Sequence, residues 1–292
     1  MERFKRKGGI DMKNIKKYVA IILSALLITV VFTGCSDNST SNSKKIIFGV
    51  APGPYGDLVK LAIKPGLEKK GYKVELKEFS DYIQPNKALA NNEIDVNVFQ
   101  HQVYLENFAK EHKLEIESIK NIPTAGMGIF SNNYKSLDQL SDGDTVSIPN
   151  DVPNLARALR FLAAEGVITL KDDVDLTTVS EKDIAENPKN LKFTTVEAAQ
   201  LPRTLGSVNI SVINGNYAIS SGLSLGDAIT TEKLNEEYKN VIAIRSSDKD
   251  SEFVKDILEV VESDDFKNVI LDDKNIFKDF DFPEWFQEKV GE

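Results

Sequence analysis

Two short apolar runs far apart in the chain, Gly126–Phe130 (GMGIF) and Val241–Arg245 (VIAIR), constrain the fold most. Both read as β-strands, and residues 131–240 between them carry strand and helix patterns of their own. A chain arranged this way leaves one α/β body, builds a second, and returns to finish the first. Two bodies joined by two crossings form a hinge, with a cleft between them where a ligand can sit. The expected division is a first lobe over residues 46–130 plus 241–292 and a second lobe over residues 131–240.

The rest of the pattern is a βα rhythm. A strand at Ile46–Val50 runs into the loop Ala51–Pro54, and helical spacing follows through Leu58, Leu61, Ala62 and Leu67 to a stop at Gly71, with a bend at Pro65. Strands over Lys73–Phe79 and Ile94–Phe99 alternate with helices over Gln84–Asn91 and Gln102–His112. In the central segment, strands at Thr145–Ile148, Leu191–Val196 and Val208–Ile213 alternate with helices at Pro153–Gly166 and Ala198–Leu205. The fold class is therefore α/β, with parallel or mixed sheets flanked by helices. Residues 251–292 read as helices, with Phe253, Ile257, Val260 and Val261 on one face and Pro283–Phe286 docking the terminus.

Ahead of this body, Lys13, Lys16 and Lys17 precede an apolar run from Tyr18 to Phe32, closed by Thr33-Gly34-Cys35. That order is a secretory signal, and the run is short of the roughly 20 residues of a membrane-spanning helix. Val31–Cys35 resembles a lipobox, which makes Cys35, the sole cysteine, the lipidation (palmitate) site. Residues 1–34 are thus read as a signal peptide, with 1–11 a possible upstream extension before a start at Met12. Residues 35–45 are then the lipidated cysteine and a polar tether (SDNSTSNSKK). An acyl anchor holds a protein to the bilayer without spanning it, here on the extracytoplasmic face of the cell membrane.

Charge and cysteine count exclude several classes. Residues 1–34 hold seven of the 36 basic and two of the 45 acidic residues, which leaves the remainder at a net charge of −14. Nucleic acid is not a partner, since no clustered basic face is present to neutralise phosphates. No metal or cofactor is expected: the two histidines, His101 and His112, would lie about 16 Å apart along one helix. No P-loop, nucleophile elbow, HExxH or EF-hand loop occurs, so an enzyme is not expected either.

Four segments could hold a ligand. SDYIQPN at 80–86 offers Tyr82 in a loop before a helix, although Asp81 and Asn86 also suit plain capping. FQHQVYL at 99–105 lies where a strand ends and a helix begins, the edge at which open α/β sheets bind ligands. There Phe99, His101 and Tyr104 would make a half-apolar wall able to pack a thioether or an aliphatic chain; the plainer alternative is two core aromatics and a capping imidazole. NDVPNLAR at 150–157 opens a helix with Asp151 as cap and Pro153 in the first turn. Asn154 and Arg157 sit at i, i+3 near that anion-favouring end, and a guanidinium fork there can hold a carboxylate. The alternative is a surface arginine paired with an acid; Arg160 points to another side. INGNY at 213–217 puts Asn214 and Asn216 around a tight glycine turn, where amide oxygens can accept from an ammonium group.

Taken together and in order, these blocks resemble the NlpA family of methionine-binding lipoproteins, the substrate-binding components of methionine ABC importers. The resemblance runs through GVAPGPYGDL at 49–58, FSDYIQPNKALANNEIDVNVFQH at 79–101, VSIPND at 146–151, ARAL at 156–159, ENPKNLKF at 186–193, EAAQLPR at 197–203 and VINGNYA at 212–218. It implies a two-lobed, type II-like periplasmic-binding-protein fold that closes around a free amino acid. By the same resemblance Tyr82, Phe99, His101 and Tyr104 line the side-chain pocket and Arg157 takes the α-carboxylate. Asn154, Asn214 and Asn216 hold the amino and carboxylate groups. The ligand would be methionine, L or also D, delivered by a monomer to a membrane permease with its ATPase. Another amino acid, a methionine-containing dipeptide or a surface adhesion role are the alternatives. The chain departs from the family at Tyr55, Val98 and Ala125-Gly126, where a histidine, an aromatic and Glu-Pro are usual.

Overall fold

The structure is a computed structural model and describes residues 44–291; Cys35 and the signal segment lie outside the described residues. Among the described residues, twelve strands occur in chain order. They are β1 (Lys44–Val50), β2 (Tyr72–Glu78), β3 (Val96–His101), β4 (Ile116–Asn121), β5 (Gly128–Phe130), β6 (Thr145–Pro149), β7 (Thr169–Leu170), β8 (Ile184–Glu186), β9 (Lys192–Val196), β10 (Ile210–Ile213), β11 (Thr230–Thr231) and β12 (Asn240–Arg245).

They build two five-stranded mixed sheets and one small hairpin. The first sheet has the order β2-β1-β3-β12-β4, and the second β11-β5-β10-β6-β9. In the first, β1 runs parallel to β2 and β3, while β12 is antiparallel to both β3 and β4. In the second, β6 runs parallel to β9 and β10, and β5 is antiparallel to β10 and β11. The chain crosses between the sheets through residues 122–127 and returns through 232–239. The crossings lie side by side: Ile122 N–H donates to Asn240 O at 2.8 Å, and Glu232 N–H donates to Met127 O at 2.9 Å.

Two expected boundaries shift. Gly128–Phe130 pairs with β10 and β11, so this strand belongs to the second sheet and the first crossing precedes it. The tether reading stops short of Lys45, because Lys44 and Lys45 already pair with Tyr72 and Lys73 in the parallel ladder. Strand β4 (IESIKN) escaped sequence reading because it lies at the edge of the first sheet, half-exposed and mostly polar. The helix bent at Pro65 is real but divided: Pro54–Leu58 and Lys64–Lys69 flank a π-helical turn at Val59–Ile63. A proline cannot donate to the ladder, and a π turn just ahead of it absorbs the mismatch.

Each sheet is covered on both faces. On one face of the first sheet, Phe48, Val50, Val96 and Ile244 pack with Leu58, Ile63, Ile257 and Phe266 from flanking helices. In the second sheet Val146, Ile148, Ile210 and Val212 pack against Ala158, Leu159 and Leu162 of the helix Val152–Ala164. Among the described residues, no helix is long and apolar enough to cross a membrane. The terminal helix Glu284–Gly291 docks as expected. Trp285 Nε1 donates to Asn121 O at 2.9 Å, and fully buried Phe286 sits 4.9 Å from the Phe282 ring and 6.2 Å from Phe266. Phe286→Ala should lower stability by about 3–5 kcal/mol, read from denaturant unfolding. A loss under about 1 kcal/mol would show that the terminus is not part of this core.

Candidate ligand-binding site

Four helices begin at the carboxyl ends of strands facing the gap between the sheets. The first sheet contributes Pro54–Leu58 after β1 and Gln102–His112 after β3. The second contributes Val152–Ala164 after β6 and Gly215–Ser220 after β10. Strand ends and helix amino ends of this kind present free N–H groups and a partial positive charge to the space between them. That space is a small, tightly closed cavity lined by Tyr55, Tyr82, Phe99, Gln100, His101, Tyr104, Ala125, Asn154, Arg157, Asn214, Gly215, Asn216 and Asn240. All eight residues read from the sequence as ligand-binding are in its wall.

The aromatic side comes from the first sheet. Tyr82 is the hub, with ring centroids 5.7 Å from Phe99, 5.8 Å from Tyr104 and 4.9 Å from Tyr217 of the second sheet's helix. Its hydroxyl donates to Asn216 Oδ1 at 2.5 Å, and Asn216 Nδ2 donates to Pro52 O at 3.0 Å. These bonds tie the two sheets together across the gap. Gly53 permits the approach. Its φ of +120° is open essentially only to glycine, and a Cβ there would lie 2.6 Å from Asn216 O.

His101 both caps and lines. Its Nδ1 accepts from Tyr104 N–H at 3.2 Å, which closes the first turn of the helix Gln102–His112 and leaves the proton on Nε2. Nε2 lies 3.3 Å from Asn154 Oδ1 and donates to it. Burial, then the nearby Arg157 charge, hold the imidazole pKa well below its ordinary 6.5. Protonation would also place an N–H against the Tyr104 N–H, so the neutral form is built in.

The polar side comes from the second sheet. Asp151 caps the helix Val152–Ala164, accepting from Asn154 N–H at 3.0 Å and Asn154 Nδ2 at 2.8 Å. Asn214 Nδ2 donates to Asn154 Oδ1 at 2.8 Å. The other atom of that amide, Asn214 Oδ1, is buried without any hydrogen-bond partner. A buried acceptor left open costs free energy, so a donor belongs there. Around it, the expected tight glycine turn is instead the start of a helix, Gly215–Ser220, opened by Asn214 O accepting from Ala218 N–H at 3.0 Å. Gly215 is needed for space rather than for a turn, since a Cβ would meet Gly126 O at 2.4 Å.

Arg157 combines the two readings that its sequence position allowed. It is paired with an acid, and it is buried in the cavity wall. Its Nε donates to Glu232 Oε1 and Oε2 at 3.1 and 2.9 Å, and Nη2 lies 2.8 Å from Oε2. Only 5% of the Arg157 side chain and 13% of the Glu232 side chain are exposed. Burial works against the guanidinium charge, but the Glu232 carboxylate outweighs it and raises the Arg157 pKa. With the Nε edge taken, the Nη1 donors remain for another anion. Arg160 does point elsewhere, its Nη1 donating to Tyr238 OH at 2.6 Å outside the cavity wall.

Sequence reading missed Tyr55, Asn240 and Glu232. Tyr55 directly follows Pro54 at the first helical turn after β1, the same strand-to-helix signal that exposed the other segments, and its hydroxyl accepts from Ala125 N–H at 3.2 Å. Asn240 opens β12 and donates through Nδ2 to Phe99 O at 2.9 Å. Glu232 lies in a polar stretch (TTEKLNEEYK) without any periodic pattern, and only the crossing brings it to Arg157.

Two α/β lobes closing on one small cavity, with a guanidinium in one wall and stacked aromatics in the other, define a substrate-binding protein of the periplasmic-binding-protein fold. The sequence agrees. The family model of the NlpA lipoproteins matches residues 46–285, and the chain belongs to that family. The D-methionine-binding lipoprotein MetQ of Salmonella typhi is 39% identical over 254 residues, covering 86% of this chain and 92% of that one. A nutrient binding protein from Burkholderia cenocepacia, solved bound to methionine, is 40% identical with a TM-score of 0.74, over 78% of this chain and 95% of that one. An ABC transporter periplasmic substrate-binding protein from Coxiella burnetii is 36% identical with a TM-score of 0.75, over 82% and 99% of the two chains.

The neutral His101 has a measurable consequence. The unfolded chain takes up a proton near pH 6.5 and the folded protein does not, so stability falls as pH drops below that value. This contributes up to about 1.4 kcal/mol per pH unit. Thermal unfolding of His101→Gln between pH 6.5 and 5 should show a shallower loss of Tm than the wild type; equal slopes would contradict a buried neutral imidazole.

Proposed function

We propose that this protein captures free methionine, L or D, between its two lobes and delivers it to the membrane permease of an ABC importer with its ATPase. The observation that carries this reading is the pairing of Arg157 with an aromatic wall across one small cavity. In it, the ligand carboxylate takes the Nη1 side of Arg157. The ammonium group donates to Asn214 Oδ1, the buried acceptor without a partner. The side chain lies among Tyr82, Phe99 and Tyr104, whose rings attract a thioether sulfur and pack its methylenes.

The lobes in this reading are residues 44–127 with 232–291 and residues 128–231, hinged at the two crossings. Ligand shifts the equilibrium to the closed form because it touches both lobes only when they are closed. The protein works as a monomer without chemical turnover, held by a lipid on Cys35 to the extracytoplasmic face of the membrane.

Calorimetry of Arg157→Lys with methionine tests the carboxylate contact. Lysine keeps a charge near Glu232 but loses the planar fork, and affinity should fall by about tenfold to a hundredfold. Unchanged affinity would remove Arg157 from the site. Mass spectrometry of small molecules released from the unheated purified protein should find methionine; a different amino acid or a dipeptide would refute the ligand assignment while leaving the fold class standing.

A further inference from the structure

Arg157 is the one cavity-wall residue that carries a charge at neutral pH, since His101 is held neutral and every other lining group is an amide, a phenol, an apolar side chain or backbone. Directly behind it Glu232 grips the guanidinium with both carboxylate oxygens and also accepts from Met127 N–H at 3.2 Å. Neighbouring ionisable groups lie outside the cavity wall: Asp151 accepts from Asn154 N–H and Asn154 Nδ2, Asp281 from Leu234 N–H at 3.3 Å, and Arg160 donates to the Tyr238 hydroxyl. Arg157, the one charge in the cavity wall, and the acid that holds it from behind therefore sum to zero.

We propose that Glu232 is a specificity-determining residue that sets the net charge of the ligand: by neutralising Arg157 from behind, it makes the closed cavity select a zwitterion over an anion that shares the same carboxylate. This rests on the proposed amino-acid site. Without Glu232, a lone guanidinium in the wall would satisfy any carboxylate, with or without an ammonium group. With it, a bound anion leaves one negative charge uncompensated in a site closed to water, and that is expensive. A unit charge about 6 Å away, at an effective dielectric constant of about 20, changes an equilibrium by roughly a hundredfold.

The test uses methionine beside two analogues that add no bulk: 4-(methylthio)butanoate, which lacks the ammonium group, and 3-(methylthio)propylamine, which lacks the carboxylate. Affinities are measured by calorimetry on the wild type, Glu232→Gln and Glu232→Asp. The wild type should prefer methionine to the butanoate by well over about tenfold. Glu232→Gln should reduce that preference by about tenfold or more and weaken the propylamine further, whereas Glu232→Asp keeps the wild-type ratio even if both affinities fall. The lost ammonium contacts are common to all variants, so the change in ratio isolates the charge. An unchanged ratio in Glu232→Gln overturns the proposal, and so does a wild type that binds the butanoate within about tenfold of methionine, which needs no variant to fold. A wild type that binds neither methionine nor either analogue refutes the methionine reading on which the proposal rests.

Discussion

The ion pair between Arg157 and Glu232 is the interaction on which the site depends. Both side chains are almost wholly withdrawn from water, and three donor–acceptor distances of 2.8–3.1 Å hold them together. A buried pair of this kind is weak evidence for stability, because desolvating two ions offsets much of their attraction. Its value lies in geometry. Glu232 is fixed by backbone bonds to Met127 on the neighbouring crossing, so the guanidinium is held by the hinge itself. Arg157 stands on the helix that follows β6, and the pair therefore joins the mouth of the second sheet to the strip of chain that runs back to the first.

Closure follows from the matched topology of the two sheets. Each has a parallel core extended by an antiparallel strand at a crossing, β12 in one and β5 in the other. Parallel βα units put all their helix amino ends on one side, and facing the two sheets brings four of these ends onto a single cavity. The first sheet supplies rings and the second supplies amides and the cation. In the proposed function, a ligand with one apolar end and one charged end satisfies both only when the sheets are together, and binding energy thereby becomes a change of shape. Tyr82 with Asn216, and Gly53 under the Asn216 carbonyl, mark how closely the two sides approach.

Much of this was legible in the sequence, and for identifiable reasons. Strand-to-helix junctions announce themselves by an apolar run that ends in polar residues, and FQHQVYL, NDVPNLAR and INGNY all lie at such junctions, the second with an early proline as well. What failed was local or long-range. The edge strand β4 is too polar to show an alternation, and Gly215 looked like a turn because composition does not distinguish a glycine needed for space from one needed for φ. Gly128–Phe130 reads as a strand but not as a strand of the second sheet, since pairing partners 80 or so residues away leave no trace in a three-residue run. Glu232 was invisible for the same reason: its partner is set by a crossing, not by spacing.

The most direct measurement of the account is a crystal structure of the protein grown with methionine. It should show the ligand carboxylate on the Nη1 side of an Arg157 still gripped by Glu232, its ammonium group on Asn214 Oδ1, and the thioether among Tyr82, Phe99 and Tyr104. A ligand bound elsewhere, or one whose carboxylate has displaced Glu232 from Arg157, would contradict it.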